Sequence, residues 1–596
     1  MLRPAVAAAL AALALLPAAA AAQGGSALAR YATGTLAPWE ATQSTTGALV
    51  DPISGFSGIR YGEAMYAYAT LLSRPDAARR ASAVRALSWL ATQPHELPGP
   101  EGLPLQSVFE NAAFAASYRL ARNRYADDPV VAAALPEWRA WLSAVHYERL
   151  GRSGRYHDNK ALVEAVAVQE LLRTDVPSGG PGTVLADRRD AHRRVRRLLN
   201  RGVPVAARAF RSERAGRRFV SFSDPPRNPP AYQALAAAYY VRALTLLPRG
   251  ARAPAARRTA RQMLRGIEVA LAPDGDLAYW GRSQEQAWAL GFAAAAAARA
   301  GRAGLLPRRE ARGLVDAASA RLRARHLTAG GQLMTLPLLQ DGGPLPAAAV
   351  DPYFTFPSYQ NLTAMAVGWA AGDVRALPRR GATTWAPPVT VQPHGNGAFA
   401  VLRSRRVWAA VRGERGDGDL RYDFGVVAAK LRGRDGRWRD LLPPRPRTTT
   451  GADSAGPVLL TPEGAAFPVA LAMKRDGRTV RMEGEYRDAR ARLKRRHNVR
   501  FAFTPTRRGV RMRVSARPGD RFQLSAFSRG TLGPGGSPGV FEQAGYAMVV
   551  RGASQRVVAV SDGYASGLDA ALARRTVTVQ VPRHGHGFAV SYVARR

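Results

Sequence analysis

The sequence predicts two regions of different structural class, a helical N-terminal region and an all-β C-terminal region. From Gly58 to Gly372, apolar residues recur at three- and four-residue spacing, as on one face of an α-helix. After Trp385 they alternate with polar residues, as on the two faces of a β-strand. A chain of 596 residues has room for about two to four domains, so each region can hold its own core.

The helical region is predicted to contain roughly ten to twelve helices, enough for about five or six antiparallel hairpins. Proline- and glycine-containing loops separate the helices, and no strand-like stretch interrupts them. Many helices are rich in alanine on more than one face, as expected of inner helices that pack closely against neighbours. The clearest segments are GEAMYAYATLLSR, QSVFENAAFAASYRLA, EWRAWLSAVHYERL, NKALVEAVAVQELL, AYQALAAAYYVRALTLL, QEQAWALGFAAAAAARA and LVDAASARLRARHL.

The C-terminal region is predicted to form an antiparallel β-sandwich with long strands. Turns rich in Gly, Asp or Pro join its alternating segments. We therefore place a helical domain at residues 23–384 and a β-sandwich domain at residues 385–596. The segments are GAFAVLRSRRVWAAVRG, LRYDFGVVAAKLRG, GRTVRMEGEYRD, HNVRFAFTPTRRGVRMRVSAR, DRFQLSAFSRG, AMVVRGASQRVVAVSD and TVTVQVPRHGHGFAVSYVA.

The N-terminus has the pattern of a secretory signal peptide. Residues 1–22 contain one arginine, an apolar run interrupted at Pro17, and a small-residue tail that ends near Ala22. The run is mostly alanine and shorter than the ~20 strongly apolar residues that span a membrane. The sequence has no cysteine, which excludes disulfides and thiolate metal sites. We expect a secreted monomer that begins near Gln23 and has no membrane span.

The net charge of the chain is +42, from 86 basic and 44 acidic residues. Arginine supplies nearly all of the basic residues, a skew typical of GC-rich coding, but codon bias does not explain the excess of base over acid. A polyanionic partner is therefore expected. Because the charge is spread along an exported chain, an acidic polysaccharide or an anionic cell wall is favoured over nucleic acid.

Helical hairpins followed by a large sandwich on an exported chain resemble the polysaccharide lyases that combine an α/α-toroid with a C-terminal antiparallel β-sandwich. The heparinase II/III-like enzymes and the hyaluronate/chondroitin lyases belong to this group. Stretches that look similar are YHDNKALVEA, NPPAYQALA, YWGRSQEQAW and RYDFGVVAAKLRG. The resemblance implies a cleft at the loops that enter the inner helices of the toroid. It also implies β-elimination of a uronate-containing acidic polysaccharide without a cofactor.

Such a β-elimination needs a group that neutralises the uronate carboxylate, a base for the adjacent proton, and an acid for the leaving oxygen. The stretch GRYHDNKAL supplies candidates directly before an amphipathic helix. We expect Asn159 to neutralise the carboxylate, with His157 or Tyr156 as the base. Asp158 or Asn159 can also be a simple N-cap. A cap accounts for one of these four residues.

A second candidate is the stretch APDGDLAYWGRSQEQAWAL, residues 272–290. Ser283 and Gln286 fit a capping box at the start of the next helix. The glutamate between them also suits the first turn of a helix, where its charge favours the helix dipole. We expect Tyr279 to act as an acid or base and Arg282 to bind a substrate carboxylate. Trp280 would stack on a sugar ring, and Gln284 and Glu285 would make polar contacts to the sugar.

Other stretches rank below these two. In LQSVFENAAFAASY, Glu110 and Asn111 are expected in mid-helix, facing the cleft or solvent. The prolines of RNPPAYQAL suit a helix start, and tyrosines of this kind are often core residues. The remaining candidate substrate-binding residues are Asn228 and Tyr232 of RNPPAYQAL, Tyr359 and Asn361 of DPYFTFPSYQNL, and His497 of RRHNVRF.

No metal site is predicted, because His584 and His586 lack a third ligand and GDGDLRYD lacks the full ligand set of a calcium loop. Two other functions stay open. A glycoside hydrolase on the same toroid would need two carboxylates, ~6.5–9.5 Å apart in an inverting enzyme. Asp158 and Glu285 are the pair that the helix entrances offer. A non-catalytic glycan- or cell-wall-binding protein would instead have an aromatic-lined cleft without a base beside an Asn or Arg.

Overall fold

A computed structural model describes the chain from residue 27 to residue 594, with gaps. The predicted signal peptide, residues 1–22, lies outside the described residues. Within the described part of the chain, no helix is long and apolar enough to cross a membrane. The described ranges are 27–51, 61–95, 108–214, 217–220, 230–279, 283, 286–338, 356–381, 389–392, 399–413, 424–442, 457–488, 493–529, 539–543, 546–561 and 572–594.

The N-terminal region is built from helical hairpins, as the sequence predicts. A π-helical turn at Leu198–Gly202 joins two of the helices and is followed by the short helix α8. The helices are α1 (Ala27–Thr42), α2 (Tyr61–Leu72), α3 (Ala77–Ala91), α4 (Val108–Arg124), α5 (Pro129–Ser143), α6 (Asn159–Leu171), α7 (Arg188–Arg197), α8 (Val203–Ala207), α9 (Pro230–Leu246), α10 (Pro254–Ala270), α11 (Ala287–Arg302), α12 (Arg308–Arg325) and α13 (Phe356–Val374).

Helices α2, α4, α6, α9, α11 and α13 form a closed inner ring, in which each packs against the next and α13 packs against α2. Helices α1, α3, α5, α7, α10 and α12 alternate with them along the chain and lie outside the ring. One outer helix separates consecutive inner helices, and between α6 and α9 this is the continuous run of α7, the π-helical turn and α8. The inner helices therefore run in the same direction. This arrangement is an α/α-toroid.

The inner helices all begin at one end of the ring, which we call the entrance end. The rings of Tyr61 and Phe109, at the starts of α2 and α4, have centroids 6.5 Å apart. A Cβ at Gly62 would lie 3.0 Å from the backbone of Pro357, so the starts of α2 and α13 are also in close contact. Tyr232 and Trp288, at the starts of α9 and α11, pack edge to face at 5.5 Å.

Aromatic side chains fill the middle of the ring. Tyr239 of α9 is fully buried between Phe109, Phe292 and Trp369, with ring centroids 5.9, 5.6 and 5.3 Å away. Small alanines such as those of α11 let the helices approach closely enough for these rings to meet. The interior of the toroid is therefore a packed core, and a substrate cleft has to lie at one of its two ends.

Charged side chains close the other end, where the inner helices finish. Arg242 of α9 donates to the Tyr68 hydroxyl at 2.6 Å and lies over the ring of Trp369 at 4.2 Å. Glu170 of α6, with a fully buried side chain, accepts from Arg119 at 2.6 Å and lies 3.4 Å from Arg242. These ion pairs between neighbouring inner helices leave the entrance end as the place for a site.

One part of the helical prediction is wrong. Strands β1 (Arg211–Arg214) and β2 (Arg217–Val220) form an antiparallel hairpin between α8 and α9, where we expected no strand. Each strand has four residues, which is too short for a two-residue periodicity to show in the sequence. Phe219 and Val220 are buried against the helices, and the Gln233 amide donates to the carbonyl of Val220 at 3.0 Å.

The C-terminal region is a β-sandwich with antiparallel pairing, as predicted, and begins after α13 ends at Val374. Its first sheet has five strands in chain order, and its second has eleven in the order β14-β15-β18-β12-β11-β10-β9-β8-β13-β17-β16. The strands are β3 (Val389–Gln392), β4 (Phe399–Arg403), β5 (Val407–Arg412), β6 (Gly425–Arg432), β7 (Trp438–Asp440), β8 (Val458–Thr461), β9 (Gly464–Asp476), β10 (Thr479–Arg487), β11 (Leu493–Pro505), β12 (Gly509–Ser515), β13 (Arg521–Arg529), β14 (Val540–Gln543), β15 (Tyr546–Arg551), β16 (Ser554–Ser561), β17 (Leu572–Gln580) and β18 (Gly587–Ala594).

The five-stranded sheet is the middle layer of the molecule. On β5, Trp408 and Ala410 belong to the core of the helical region, whereas Ala409 and Val411 belong to the core shared with the larger sheet. A sheet that is covered on both faces needs apolar residues at successive positions. This requirement explains why β5 and most of β6 are buried throughout and do not show the clean alternation that we expected of them.

Candidate functional site

The stretch GRYHDNKAL lies at the entrance end, directly before α6. Asp158 is the N-cap of this helix, and its carboxylate accepts from the N–H of Ala161 at 3.3 Å. Asn159 is the first helical residue and is 7% exposed. His157 is exposed and Tyr156 is half-buried against the helical core. Asp158 thus forms the cap, and Tyr156, His157 and Asn159, which we expected to act on a uronate, are its neighbours in the chain.

The Asn159 side chain has a feature that the cap does not explain. Its amide makes no hydrogen bond to any residue that the structure describes. The residue is not fully buried, and its amide atoms are not among the fully buried side-chain atoms that lack a partner, so the amide stays accessible to solvent. A nearly buried amide at the entrance end, with donors that are not used within the described fold, is suited to bind an anionic group of a ligand.

The loop before this stretch is held by Glu164, which lies further along α6. Its two carboxylate oxygens accept from the backbone N–H groups of Glu148 at 2.6 Å and Arg149 at 2.7 Å, and also from that of Leu150. Burial raises the pKa of Glu164 to about 7, although these N–H groups lower it. The sequence did not single out Glu164, but a glutamate inside the apolar run ALVEAVAV is an unusual place for an acid.

Tyr279, expected to be an acid or base, is 3% exposed and packs into the interface between the two regions. Its hydroxyl donates to the carbonyl of Ala270 at 2.7 Å, and its ring packs edge to face on Trp408 of β5 at 5.3 Å. Burial and the nearby Asp276 carboxylate raise the pKa of Tyr279 well above its ordinary value. These contacts favour a structural role, because the hydroxyl already has an acceptor and the phenolate is disfavoured.

The predicted capping box at Ser283 and Gln286 is wrong. Helix α11 begins at Ala287, so Gln286 is the N-cap, and its side chain makes no cap hydrogen bond. Instead, the Gln286 amide oxygen accepts from the Trp288 indole at 2.5 Å, and the N–H of Ala287 donates to the carbonyl of Thr335 at 2.8 Å. Ser283 has φ +61°, a left-handed conformation that is rare for serine and incompatible with the first turn of a helix.

Trp280, Arg282, Gln284, Glu285 and Asn228 lie outside the described residues. His497 belongs to β11, but its side chain is also outside the described part of the structure.

The remaining substrate-binding candidates lie at the starts of inner helices. The Tyr232 hydroxyl is 3.3 Å from Oγ of Ser283. This hydrogen bond links α9 to the second candidate stretch. Tyr359 is half-buried against the helical core. Asn361 is fully buried, and its amide donates to the carbonyl of Pro357 at 2.8 Å, one turn earlier in α13. Tyr232 and Tyr359 are thus near the entrance end, whereas Asn361 is within the packed core.

A buried ionic cluster fixes the segment that leads into the second candidate stretch. Lys430 of β6 is fully buried, and its Nζ lies 2.9 Å from Asp274, 3.2 Å from Asp276 and 2.5 Å from Asp440. Arg321 of α12 also contacts Asp274 at 2.9 Å and Asp276 at 3.3 Å. Burial alone lowers the pKa of Lys430, but the three carboxylates raise it above its ordinary value. The cluster joins the middle sheet to the loop that precedes Tyr279.

A further carboxyl at the entrance end was not among the residues that the sequence analysis singled out. Glu63, in the first turn of α2, is fully buried, and one of its oxygens accepts from the N–H of Leu49 at 2.8 Å. Its other oxygen, Oε2, has no hydrogen-bond partner. Burial raises the pKa of Glu63 to about 7. The hydrogen bond from Leu49 lowers this pKa, and the nearby charge of Glu110 raises it. The glutamate inside the apolar segment GEAMYAY was the sequence signal for this group.

Glu110 and Asn111 differ from our expectation. They lie in the first turn of α4, which begins at Val108, and not in mid-helix. They are 3% and 5% exposed, so neither is solvated. No group of three or more side chains that could hold a metal ion occurs among the described residues.

The sequence matches no protein-family model, and no curated protein matches it. Solved structures similar to the chain include a heparinase III, which is 11% identical, with coverage of 88% of this chain and 76% of that one and a TM-score of 0.43. A polysaccharide lyase is 12% identical, with coverage of 54% and 92% and a TM-score of 0.35. A glycosyl hydrolase of family 88 from Bacteroides vulgatus is 14% identical, with coverage of 53% and 92% and a TM-score of 0.35. The structural neighbours thus include both lyases and a hydrolase, and at this level of similarity they carry no argument about the activity of this chain.

Proposed function

We propose that this chain is an exported lyase that cleaves a uronate-containing acidic polysaccharide by β-elimination at the entrance end of its toroid. The proposal depends most on one observation. Asn159 is nearly buried at the start of α6, without a hydrogen-bond partner among the described residues, and it directly follows His157 and Tyr156 in the chain. These are an amide donor and two proton-transfer groups, the residue types that the reaction requires.

In the proposed reaction, the Asn159 amide donates hydrogen bonds to the uronate carboxylate. This stabilises the negative charge that moves onto the carboxylate when the adjacent carbon loses its proton. His157 or Tyr156 accepts that proton. The electron pair then forms a carbon–carbon double bond, and the bond to the 4-linked oxygen breaks. The other of these two residues supplies the proton that goes to the leaving oxygen. The products are an unsaturated uronate and a new sugar end.

The structure weakens one version of the hydrolase alternative. That version needs Asp158 as one of two catalytic carboxyls, yet the Asp158 carboxylate accepts a hydrogen bond as the N-cap of α6. The charge of the chain supports an acidic substrate, because a net charge of +42 attracts polyanions.

A second version of the hydrolase is favoured by Glu63 and Glu110. A glycosidase needs one carboxyl that holds its proton near neutral pH and a second that is ionised. Glu63 has a pKa raised to about 7 and an unpaired oxygen, and Glu110 lies on the neighbouring inner helix. Both residues are almost fully buried, so a substrate would need an opening at this point to reach them.

The test is to incubate the purified protein with a panel of acidic polysaccharides and to compare the wild type with Asn159→Ala. Ultraviolet absorbance measures unsaturated uronate, and a separate assay measures reducing ends. We expect the wild type to increase the absorbance and Asn159→Ala to lose about 10²-fold or more, the usual effect of removing a group that stabilises developing charge. Asn123→Ala, which changes an exposed asparagine of α4, is the matched control and is expected to be active.

A wild-type protein that produces reducing ends without absorbance would contradict the lyase proposal. Glu63→Gln would then be the variant to examine, because the hydrolase alternative requires its activity to be lost.

A further inference from the structure

The outer face of the eleven-stranded sheet carries a group of basic side chains that the proposed reaction does not use. They lie on five strands, β9, β10, β11, β12 and β15. Strand β18, between β12 and β15, has only small residues at the same level. All of these side chains are exposed or half-exposed. We call them the basic stripe: Lys474, Arg481, Arg500, Arg511, Arg513 and Arg551.

The strand register aligns four members of the basic stripe in one row across the sheet. Neighbouring strands are about 4.8 Å apart, so basic residues that are two strands apart are separated by about 10 Å at the backbone. Alanine occupies the position between them on the intervening strand. The paired residues, in order across the sheet, are Lys474, Arg481, Ala502, Arg513, Ala589 and Arg551.

The other two members flank this row. Arg511 lies two residues before Arg513 on β12, on the same face. Arg500 is paired with Ser515 of β12 and with Glu483 of β10. The row thus widens into a band about three residues deep along the strands.

Against the six cations of the basic stripe, its register rows contain two acidic residues, Asp476 and Glu483. Arg481 forms an ion pair with Asp476 at 2.6 Å, and both side chains are more than half exposed. The other five members form no ion pair or hydrogen bond with any residue in the described ranges. Like charges that face each other directly across two strands are destabilising, and Lys474 is paired directly with Arg481.

Protection of a sheet edge does not explain these charges. Charged residues on edge strands prevent sheets from pairing with other chains. Every strand that contributes to the basic stripe has a hydrogen-bonded neighbour on both sides, because β14 and β16 are the edges of this sheet. A function outside the fold is therefore the better explanation.

We propose that the basic stripe is a binding surface for an extended acidic polysaccharide, separate from the entrance end. Arginine guanidinium groups form paired hydrogen bonds with carboxylates and sulfates, so a row of them suits a chain with regularly spaced anionic groups. The residues between the cations are small, such as Ala502, Ala589, Ser515 and Ser591, so a broad polymer can lie close to the sheet.

This surface favours a polysaccharide over single-stranded nucleic acid. Proteins that bind single strands combine positive charge with aromatic side chains on which the bases stack. The three register rows that contain the basic stripe have no aromatic residue at the outward positions of β10, β11, β12 and β18. Charge without a stacking surface fits a polymer that is recognised by its anionic groups.

The test is direct binding of heparin, polygalacturonate, uncharged dextran and single-stranded DNA to three forms of the full-length protein. The wild type is compared with a stripe variant, Arg511→Gln/Arg513→Gln/Arg551→Gln, and with a control variant, Arg124→Gln/Arg308→Gln/Arg309→Gln. The control removes the same charge from exposed positions of the helical region. All three forms carry Asn159→Ala, so that turnover does not interfere, and the form with no other substitution is called the wild type in this comparison.

We expect the wild type to bind at least one acidic polysaccharide and not dextran. The stripe variant should lose about tenfold in affinity, the sum of three exposed charge contacts. The slope of log affinity against log salt should fall by about three. The control variant should keep most of the affinity. If the stripe variant unfolds at a lower temperature than the wild type, Lys474→Gln/Arg551→Gln provides a second comparison and should lose about fivefold.

Three results would overturn the proposal. The first is equal loss in the stripe and control variants, which would mean that only total charge matters. The second is tight binding of single-stranded DNA without binding of either acidic polysaccharide. The third is no binding of any polyanion by the wild type. Because no form needs to turn over substrate, failure of the lyase proposal would leave this result unaffected, and the reverse also holds.

Discussion

At the scale of single residues, the entrance end is unusual for its buried carboxyls. Glu63 and Glu164 lie in or near the first turns of α2 and α6, and each has a pKa raised to about 7 by burial. The folded protein therefore binds a proton at these groups at pH values where the unfolded chain does not. Their contribution to stability is complete below the ordinary glutamate pKa and is lost as the pH rises through about 7.

Glu63→Gln should therefore change the pH dependence of stability. The glutamine resembles the protonated glutamate, so it removes the cost of ionising a buried carboxyl. Relative to the wild type, the free energy of unfolding of Glu63→Gln should increase by about 2–3 kcal/mol between pH 4.5 and pH 7.5. Burial lowers the pKa of His326 to about 3, so the protein also loses stability as the pH falls below the ordinary histidine pKa. This loss is the same in the variant and the wild type, so comparing the two removes it.

Denaturant unfolding at a series of pH values measures this difference. Glu137→Gln, which changes an exposed residue of α5, should run parallel to the wild type. A constant difference between Glu63→Gln and the wild type across the pH range would show that Glu63 is ionised in the fold.

Single residues also show where sequence reasoning succeeded. Asn159 lies at the start of a helix with Asp158 as its cap, and both positions follow from local capping rules. The capping rule failed at Ser283 because the start of α11 is set by Thr335 and Trp288. Thr335 is far from Ala287 in the sequence, and no local pattern reveals such a contact.

At the scale of elements, the loop before α6 depends on one side chain. Glu164 accepts from three successive backbone N–H groups, those of residues 148–150. This loop leads, over the next few residues, into the segment that carries Tyr156 and His157. Glu164 therefore fixes the backbone of this loop.

Glu164→Ala should lower the free energy of unfolding by about 2–4 kcal/mol, because it leaves buried N–H groups without an acceptor. Hydrogen exchange should accelerate most at residues 148–150. Glu164→Gln keeps one acceptor oxygen, so its free energy of unfolding should fall by less than that of Glu164→Ala. Exchange that is unchanged in this loop after Glu164→Ala would mean that the loop is held by other contacts.

Elements also show the limits of periodicity. The helices were predicted well because each is long enough for several repeats of its apolar face. The hairpin of β1 and β2 was missed because its strands are short. Strands β5 and β6 were recognised as strands, but their burial on both faces depends on the helical region, which local sequence does not show.

At the scale of the whole molecule, the middle sheet connects the toroid to the sandwich. Lys430 and Asp274 are 156 positions apart, yet their side chains meet in the buried cluster at this interface. Lys430 is one of four lysines in the chain and lies in the apolar strand GVVAAKLR. That position was a signal for a buried ion pair, but the sequence could not identify the three aspartates.

Lys430→Met should lower the free energy of unfolding by about 3–5 kcal/mol, the usual effect of removing one partner from a buried ionic cluster. The reason is that the cluster would lose positive charge next to its buried carboxylates. Arg321 would still face Asp274 and Asp276, but it would not balance the three aspartates. Denaturant unfolding measures the loss. Arg432→Met, at the exposed end of the same strand, should cost less than about 1 kcal/mol. Equal effects of the two substitutions would mean that the cluster does not stabilise the interface.

The whole molecule combines a toroid with an unpaired amide at its entrance end and a basic outer sheet. Both proposals concern an acidic polysaccharide, and the chemistry proposed for the entrance end is the central claim. The most direct test counts, for the same digest, the unsaturated uronates and the new reducing ends. β-Elimination predicts one unsaturated uronate for each new reducing end. Hydrolysis produces reducing ends with no unsaturated uronate, and that result would contradict the lyase proposal.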